Sequence, residues 1–318
     1  MSALGSRRTT IVVCFAIVYL VWGSTYVTTK VGVASLPPFL FGAVRFITGG
    51  VLLLIVAMLL NRSRGLPLAL PTAIEWRHVA IVGFCAVTIA NGASIWGLQY
   101  VPSNQAALLN VSSSFWIPIL GLFGVRAQAI SLRTACGLAI GFTGTMLVAW
   151  PDSASASVSA SPYAHWPTLA ILIGCIGWSA GTIYLRNVDS ALDLMTFTAL
   201  QMLCGGCLLL VPAALAGDFA NWTWHPTGLM ALAYMTIFSS CIAYTAYAWL
   251  SINVTPAQVG TYGFVNPVIA MLLGWWILGE VLGSLQIAGM LIILGGMLLM
   301  NWPFSPRSAS TTARSADA

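Results

Sequence analysis

Apolar runs of about twenty residues succeed one another along almost the whole chain. A run of ~20 mostly apolar residues can cross a bilayer as a helix. Ten such runs can be drawn, at roughly 10–29, 38–60, 78–99, 104–123, 131–150, 166–185, 194–216, 226–250, 257–278 and 283–302. Turn signals part them, such as "LPP" at 36–38, "NRSRGLP" at 61–67 and "VPS" at 101–103. Only 6% of the residues are charged, where a soluble domain carries about 25%. So few charges cannot cover a water-facing surface, and most of the outside must face lipid. The expected fold is an all-α polytopic membrane protein with ten transmembrane helices.

Ten spans place both termini on one side, and the bias of Lys and Arg in short loops says which. That side carries Arg7, Arg8, Arg62, Arg64, Arg77, Arg126, Arg133, Arg186, Arg307 and Arg314. The other side keeps Lys30 and Arg45. The expectation is a bacterial inner (plasma) membrane protein with cytoplasmic termini. Arg7 and Arg8 precede an apolar run with no A-x-A-like cleavage site, so the run reads as a retained first span and not a signal peptide. All seven cysteines fall inside apolar runs, where they act as small hydrophobes. The "CGGC" at Cys204–Cys207 resembles a redox motif, but apolar surroundings suppress the thiolate that such chemistry needs.

The chain also repeats itself. A shift of 156 residues lays Trp22 on Trp178, Lys30 on Arg186, Arg45 on Gln201 and Gly49-Gly50 on Gly205-Gly206. "YVPSNQA" from Tyr100 answers "NVTPAQV" from Asn253, and "GLAIGFTG" at 137–144 answers "GMLIILGG" at 289–296. Each copy holds five runs, an odd number, so the copies enter the membrane in opposite directions. Two inverted five-helix repeats around a midplane site are the architecture of secondary transporters. The expected organisation is a first repeat at 12–149, a linker at 150–165, a second repeat at 166–302 and a disordered tail at 303–318.

"VYLVWGSTYVTTKVG" followed by "LPPFLFGAVRF" resembles the start of an EamA-type domain of the drug/metabolite transporter superfamily. "INVTPAQVGTYGFVNPVIAMLLGWWILGE", Ile252 to Glu280, resembles the more specific end of the same pattern. The first copy departs from it: Ser114 stands in the place of the proline and Val125 in that of the glutamate. The resemblance implies ten helices around a central cavity and export of small metabolites such as amino acids.

Polar side chains inside a span cost free energy unless they pair or face a cavity, so their positions trace a candidate path. Trp22, Thr25, Tyr26 and Thr29 recur at helical spacing in the first run. Asn91, Ser94, Asn110, Ser113 and Ser114 follow in the third and fourth, and Trp178 and Thr182 in the sixth. Ser240, Tyr244 and Tyr247 share a face of the eighth, and Tyr262 and Asn266 precede Pro267 in the ninth. From these, the candidate substrate-binding set is Trp22, Thr25, Tyr26, Asn91, Asn110, Ser113, Trp178, Tyr244, Tyr247, Tyr262 and Asn266. The competing reading is that such hydroxyls bond their own backbone and single Asn residues staple helices.

No acidic residue falls in the middle of a run, which disfavours a permanently cationic substrate. Arg45 is read as snorkelling to the outer face, and without deep Lys or Arg clamps phosphates and sugar nucleotides are disfavoured. His78, His165 and His225 lie in loops or at span ends, and there is no P-loop. Catalysis, a metal, a cofactor, nucleic-acid binding and direct ATP coupling are therefore not expected. The expected function is export of small neutral or zwitterionic, amino-acid-like metabolites by alternating access. Protons are a candidate coupling ion, and the protein is expected to be a monomer or homodimer. The rivals are a non-transporting membrane scaffold or assembly protein, and a transporter of nucleotide-sugars or phosphorylated metabolites.

Overall fold

The computed structural model describes residues 2–65, 71–123, 130–150, 165–254, 262–281 and 283–301. Nearly all of the expected linker and the whole of the expected tail lie outside them. The first half runs through α1 (Ser2–Val33), α2 (Pro38–Ser63), α3 (Ala73–Gly97), α4 (Ser103–Asn110), α5 (Ser113–Leu120) and α6 (Leu132–Ala149). The second has α7 (Trp166–Arg186), α8 (Leu194–Leu215), α9, α10 (Tyr262–Leu278) and α11 (Ser284–Asn301). In α9 the segments Pro226–Tyr234, Met235–Ala243 and Tyr244–Asn253 follow without a break. Among the described residues every regular element is helical, and seven helices are long and apolar enough to cross a membrane.

The count differs from ten where the runs are shorter or broken. The fourth run is two eight-residue helices, α4 and α5, parted at Val111-Ser112. Here side chains compete with the helical ladder for backbone groups. Asn110 Nδ2 donates to Ala106 O at 2.9 Å, Ser113 Oγ to Asn110 O at 2.8 Å, and Ser179 Oγ on α7 to Ser113 O at 2.8 Å. α10 has 17 residues with Pro267 inside it, and α11 has 18.

Helix N-termini leave orphan N–H groups and a partial positive charge, and four of the scarce carboxylates serve them. Asp193 caps its own helix α8. Glu75 completes a capping box with Thr72 on α3. Asp218 Oδ2 accepts from Leu40 N in the first turn of α2 at 2.9 Å. Glu280 accepts from Ser103 N, Ser103 Oγ and Asn104 N of α4 at 2.7, 2.7 and 3.0 Å. That is why the acids sit at span ends.

Helices at corresponding places in the two halves pack on each other, α2 on α8 and α6 on α11, and glycine lets them approach. A Cβ on Gly50 would stand 2.8 Å from Leu203 Cγ, and one on Gly206 would stand 2.9 Å from Ile47 Cγ1. Residues 206 and 203 are 156 positions after 50 and 47, so one contact is the copy of the other. The second seam is reciprocal too. A Cβ on Gly144 would meet Gly289 O at 2.7 Å, and one on Gly296 would meet Gly137 O at 2.7 Å.

α3 and α9 each relax into a π-helix midway, over Phe84–Ile89 and Met235–Ala243. The wider turn leaves carbonyls that side chains collect: Asn91 Nδ2 donates to Ala86 O at 2.7 Å and Thr245 Oγ1 to Cys241 O at 2.7 Å. π-helical turns recur at functional sites.

Candidate functional site

A cavity of about 170 Å³ lies between the two halves, walled by α1, α2, α3, α4, α5, α7, α9 and α10. The sequence-predicted residues Trp22, Thr25, Tyr26, Asn91, Asn110, Ser113, Trp178, Tyr244, Tyr262 and Asn266 all line it. Tyr247 does not reach the wall and stands one ring behind, its centroid 4.9 Å from Trp22 and 5.8 Å from Tyr262. Trp22 is the hub of this aromatic group, with Tyr244 at 5.6 Å and Tyr262 at 5.4 Å, both edge-on. Edge-to-face packing is the favoured aromatic arrangement. It fixes ring faces that a solute can rest on.

Several hydroxyls of the set spend their proton on nearby backbone. Thr25 Oγ1 donates to Trp22 O at 2.6 Å, and Ser113 Oγ to Asn110 O. Their oxygens can still accept. Asn110 has both ends engaged, its Oδ1 taking a long bond from Ser94 Oγ at 3.4 Å. Asn266 differs: it is 7% exposed and its Oδ1 has no hydrogen-bond partner. A buried acceptor left unpaired costs about 1–3 kcal/mol.

Arg45 overturns its expected role. It does not snorkel; it is 6% exposed and forms part of the cavity wall. Nε donates to Ser240 Oγ at 3.2 Å and Nη2 to Ser239 Oγ at 3.1 Å, and the guanidinium carbon lies 4.5 Å from the centroid of the Phe46 ring. The serines arrive on the π-helical segment of α9, which packs so closely on α2 that a Cβ on Gly49 would stand 2.9 Å from Ser240 Cβ. Ser239 was absent from the sequence-predicted set. The lone basic residue amid apolar neighbours was the signal for it, had its partners been sought instead of a route to the surface.

A second pocket of about 780 Å³ is lined by Lys30, Tyr100, His225 and Glu280 among others. Lys30 Nζ donates to Gln99 O at 3.2 Å and Val101 O at 2.9 Å, which ties the end of α1 to the turn ahead of α4. Among the described residues no group of three His, Cys, Asp or Glu could hold a metal ion.

The EamA-like transporter family matches residues 9–150 and again 165–302. The chain belongs to that family. It is 32% identical over 284 residues to the uncharacterized inner membrane transporter YedA of Escherichia coli (strain K12), covering 89% of this chain and 87% of that one. It is 25% identical to the uncharacterized transporter YvbV of Bacillus subtilis (strain 168), over 95% and 94% of the two chains. The WAT1-related protein At3g02690, chloroplastic, of Arabidopsis thaliana is 25% identical, over 90% of this chain and 68% of its own. A solved crystal structure superposes with a TM-score of 0.62 at 18% identity, covering 92% of this chain and 96% of that one. That likeness concerns the fold. This EamA-like protein is a membrane transporter.

Proposed function

We propose that the chain exports small neutral or zwitterionic, amino-acid-like metabolites across the bacterial inner membrane by alternating access. The observation that carries this reading is the central cavity, walled by both repeats and lined with amides, hydroxyls and aromatic faces. Its size argues for a small solute: a 150 Å³ cavity holds benzene, and this one is about 170 Å³. A nucleotide-sugar needs far more room. Ten spans in two inverted five-span repeats, with cytoplasmic termini, accord with the reciprocal contacts of α2 with α8 and α6 with α11 and with the loop arginines. No described carboxylate lines the cavity, which favours facilitation over proton exchange.

The test is an untargeted comparison of metabolites in the medium with and without overproduction, followed by flux of the enriched solutes in reconstituted vesicles. Export of a small amino-acid-like compound is the expected result. Flux no greater than in empty liposomes would leave the scaffold reading in its place.

A further inference from the structure

We infer that Arg45 is the counter-charge for a carboxylate on the solute, which lies in the cavity with a hydrogen-bond donor of its other end on Asn266 Oδ1. This rests on reading the central cavity as the solute site, and it narrows the solute class to monocarboxylates bearing a donor, α-amino acids foremost.

A guanidinium is always ionised and presents five N–H donors. Two of them meet the neutral oxygens of Ser239 and Ser240, and Phe46 offers a ring face. Hydroxyls and a ring do not offset an ion whose burial costs several kcal/mol. No carboxylate among the described residues pairs with Arg45, and it is the one charged residue in the described wall. An anionic group entering the cavity would complete it.

Gln201 stands at the equivalent place on α8, buried at 5% exposure and outside the wall of the cavity. The packing at this position therefore accommodates a neutral amide, although its Oε1 has no hydrogen-bond partner. The positive charge appears only in the copy that faces the cavity, so helix packing does not explain it.

Asn266 lines the same cavity and its Oδ1 is a buried, unpartnered acceptor that a small turn of the side chain would present to a solute, and an ammonium is a strong donor. Trp22 and Tyr262 lie in the same wall, and aromatic faces attract cations. One guanidinium suits one carboxylate in bidentate geometry. A phosphate, with close to two charges, would call for a second cation that the described wall does not have.

The experiment uses the purified full-length protein in lipid vesicles and a panel of L-amino acids, each compared with its carboxamide and its decarboxylated amine. For the best-bound amino acid, the acid should bind at least about tenfold more tightly than its carboxamide, the value of roughly one charged hydrogen bond. Arg45→Gln should erase that ratio, and Arg45→Lys should keep part of it. Ser239→Ala removes one bond to the guanidinium but leaves the charge, and should preserve the preference. The wild-type ratio of acid to carboxamide needs no variant, so a misfolded Arg45→Gln cannot shield the inference. A carboxamide bound as well as its acid would sink it. So would a panel that is ignored while a solute without a carboxylate is transported, which would leave the transport reading intact. Absence of flux for every solute would defeat both.

Discussion

The two repeats are alike where they meet, and around the cavity they share the Trp22–Trp178 pair but differ at several other positions. Gly50 against Leu203 has its copy in Gly206 against Ile47, and the α6–α11 seam is reciprocal about Gly137, Gly144, Gly289 and Gly296. Around the cavity the copies part: Arg45 answers Gln201, and the broken α4–α5 answers α10 with Asn266-Pro267 inside it. Both sets of positions are buried, so burial alone does not separate them. Duplicated contacts carry the fold, whereas the differences at Arg45 and Asn266 single out the groups that the proposed solute would use.

The largest effect should come from breaking the duplicated part. At Gly144 and Gly289 a new side chain meets a backbone carbonyl, which cannot rotate aside. Overpacking costs typically 1–3 kcal/mol and sometimes more. Gly144→Leu and Gly289→Leu should each lie at or beyond ~3 kcal/mol, seen as loss of monodisperse protein or a large fall in melting temperature. Gly295→Ala, on the same helix with nothing within 4 Å of the added carbon, should be silent. An equal response at Gly295 would break the link between seam geometry and stability.

Next comes the unlike part. Asn266→Leu removes the unpaired oxygen at nearly constant volume. If a solute donor uses that oxygen, the loss should cost ~1–3 kcal/mol of binding, or about ten- to a hundredfold in affinity, with an unchanged or raised melting point. A lowered melting point with unaltered affinity would make Asn266 a helix staple and remove it from the site.

A smaller effect is expected at Glu280, which joins the two repeats by capping α4 from beyond α10. Glu280→Ala should cost about 1–2 kcal/mol of stability, the upper range for loss of a cap. Glu280→Gln keeps one acceptor oxygen and should cost less, and transport should persist in both wherever the protein folds. Loss of transport in a stable Glu280→Gln variant would make this carboxylate part of the transport cycle.

These comparisons also explain what the sequence could and could not reveal. The 156-residue shift was visible because seam contacts demand small residues at fixed spacing in both copies, and Gly50 and Gly206 keep it. On α1 the predicted residues reach the cavity because helical spacing puts Trp22, Thr25, Tyr26 and Thr29 on one face, whatever surrounds them. Arg45 was misread because its partners, Ser239 and Ser240, lie almost two hundred residues away and arrive through a π-helical turn. No residue pattern in Met235–Ala243 marks that turn. The break between α4 and α5 was hidden for a similar reason, since part of what holds it is Ser179 of another helix.

The smallest effect separates the two copies at their helix starts. α2 begins at Pro38 after Pro37, which lends no side-chain bond, and borrows Asp218 through Leu40 N. α8 begins after Asp193, which caps itself. Partial burial works against the Asp193 carboxylate, but it accepts from Thr196 Oγ1 and N, Asn61 Nδ2 and Met195 N, and these hold its pKa below the ordinary aspartate value. A group whose pKa is depressed in the folded state adds stability above its unfolded pKa and loses it as pH falls through the folded one. The ordinary value is about 3.9. The advantage of wild type over Asp193→Ala should therefore be level at neutral pH, at about 0.5–1 kcal/mol for an exposed cap, and fade below about pH 4. Melting temperatures of both proteins across pH 3 to 7 check it. A gap that widened on acidification would mean that the carboxylate opposes folding at neutral pH, contrary to the bonds it makes. A gap that stayed constant would assign its contribution to hydrogen bonds that protonation does not disturb.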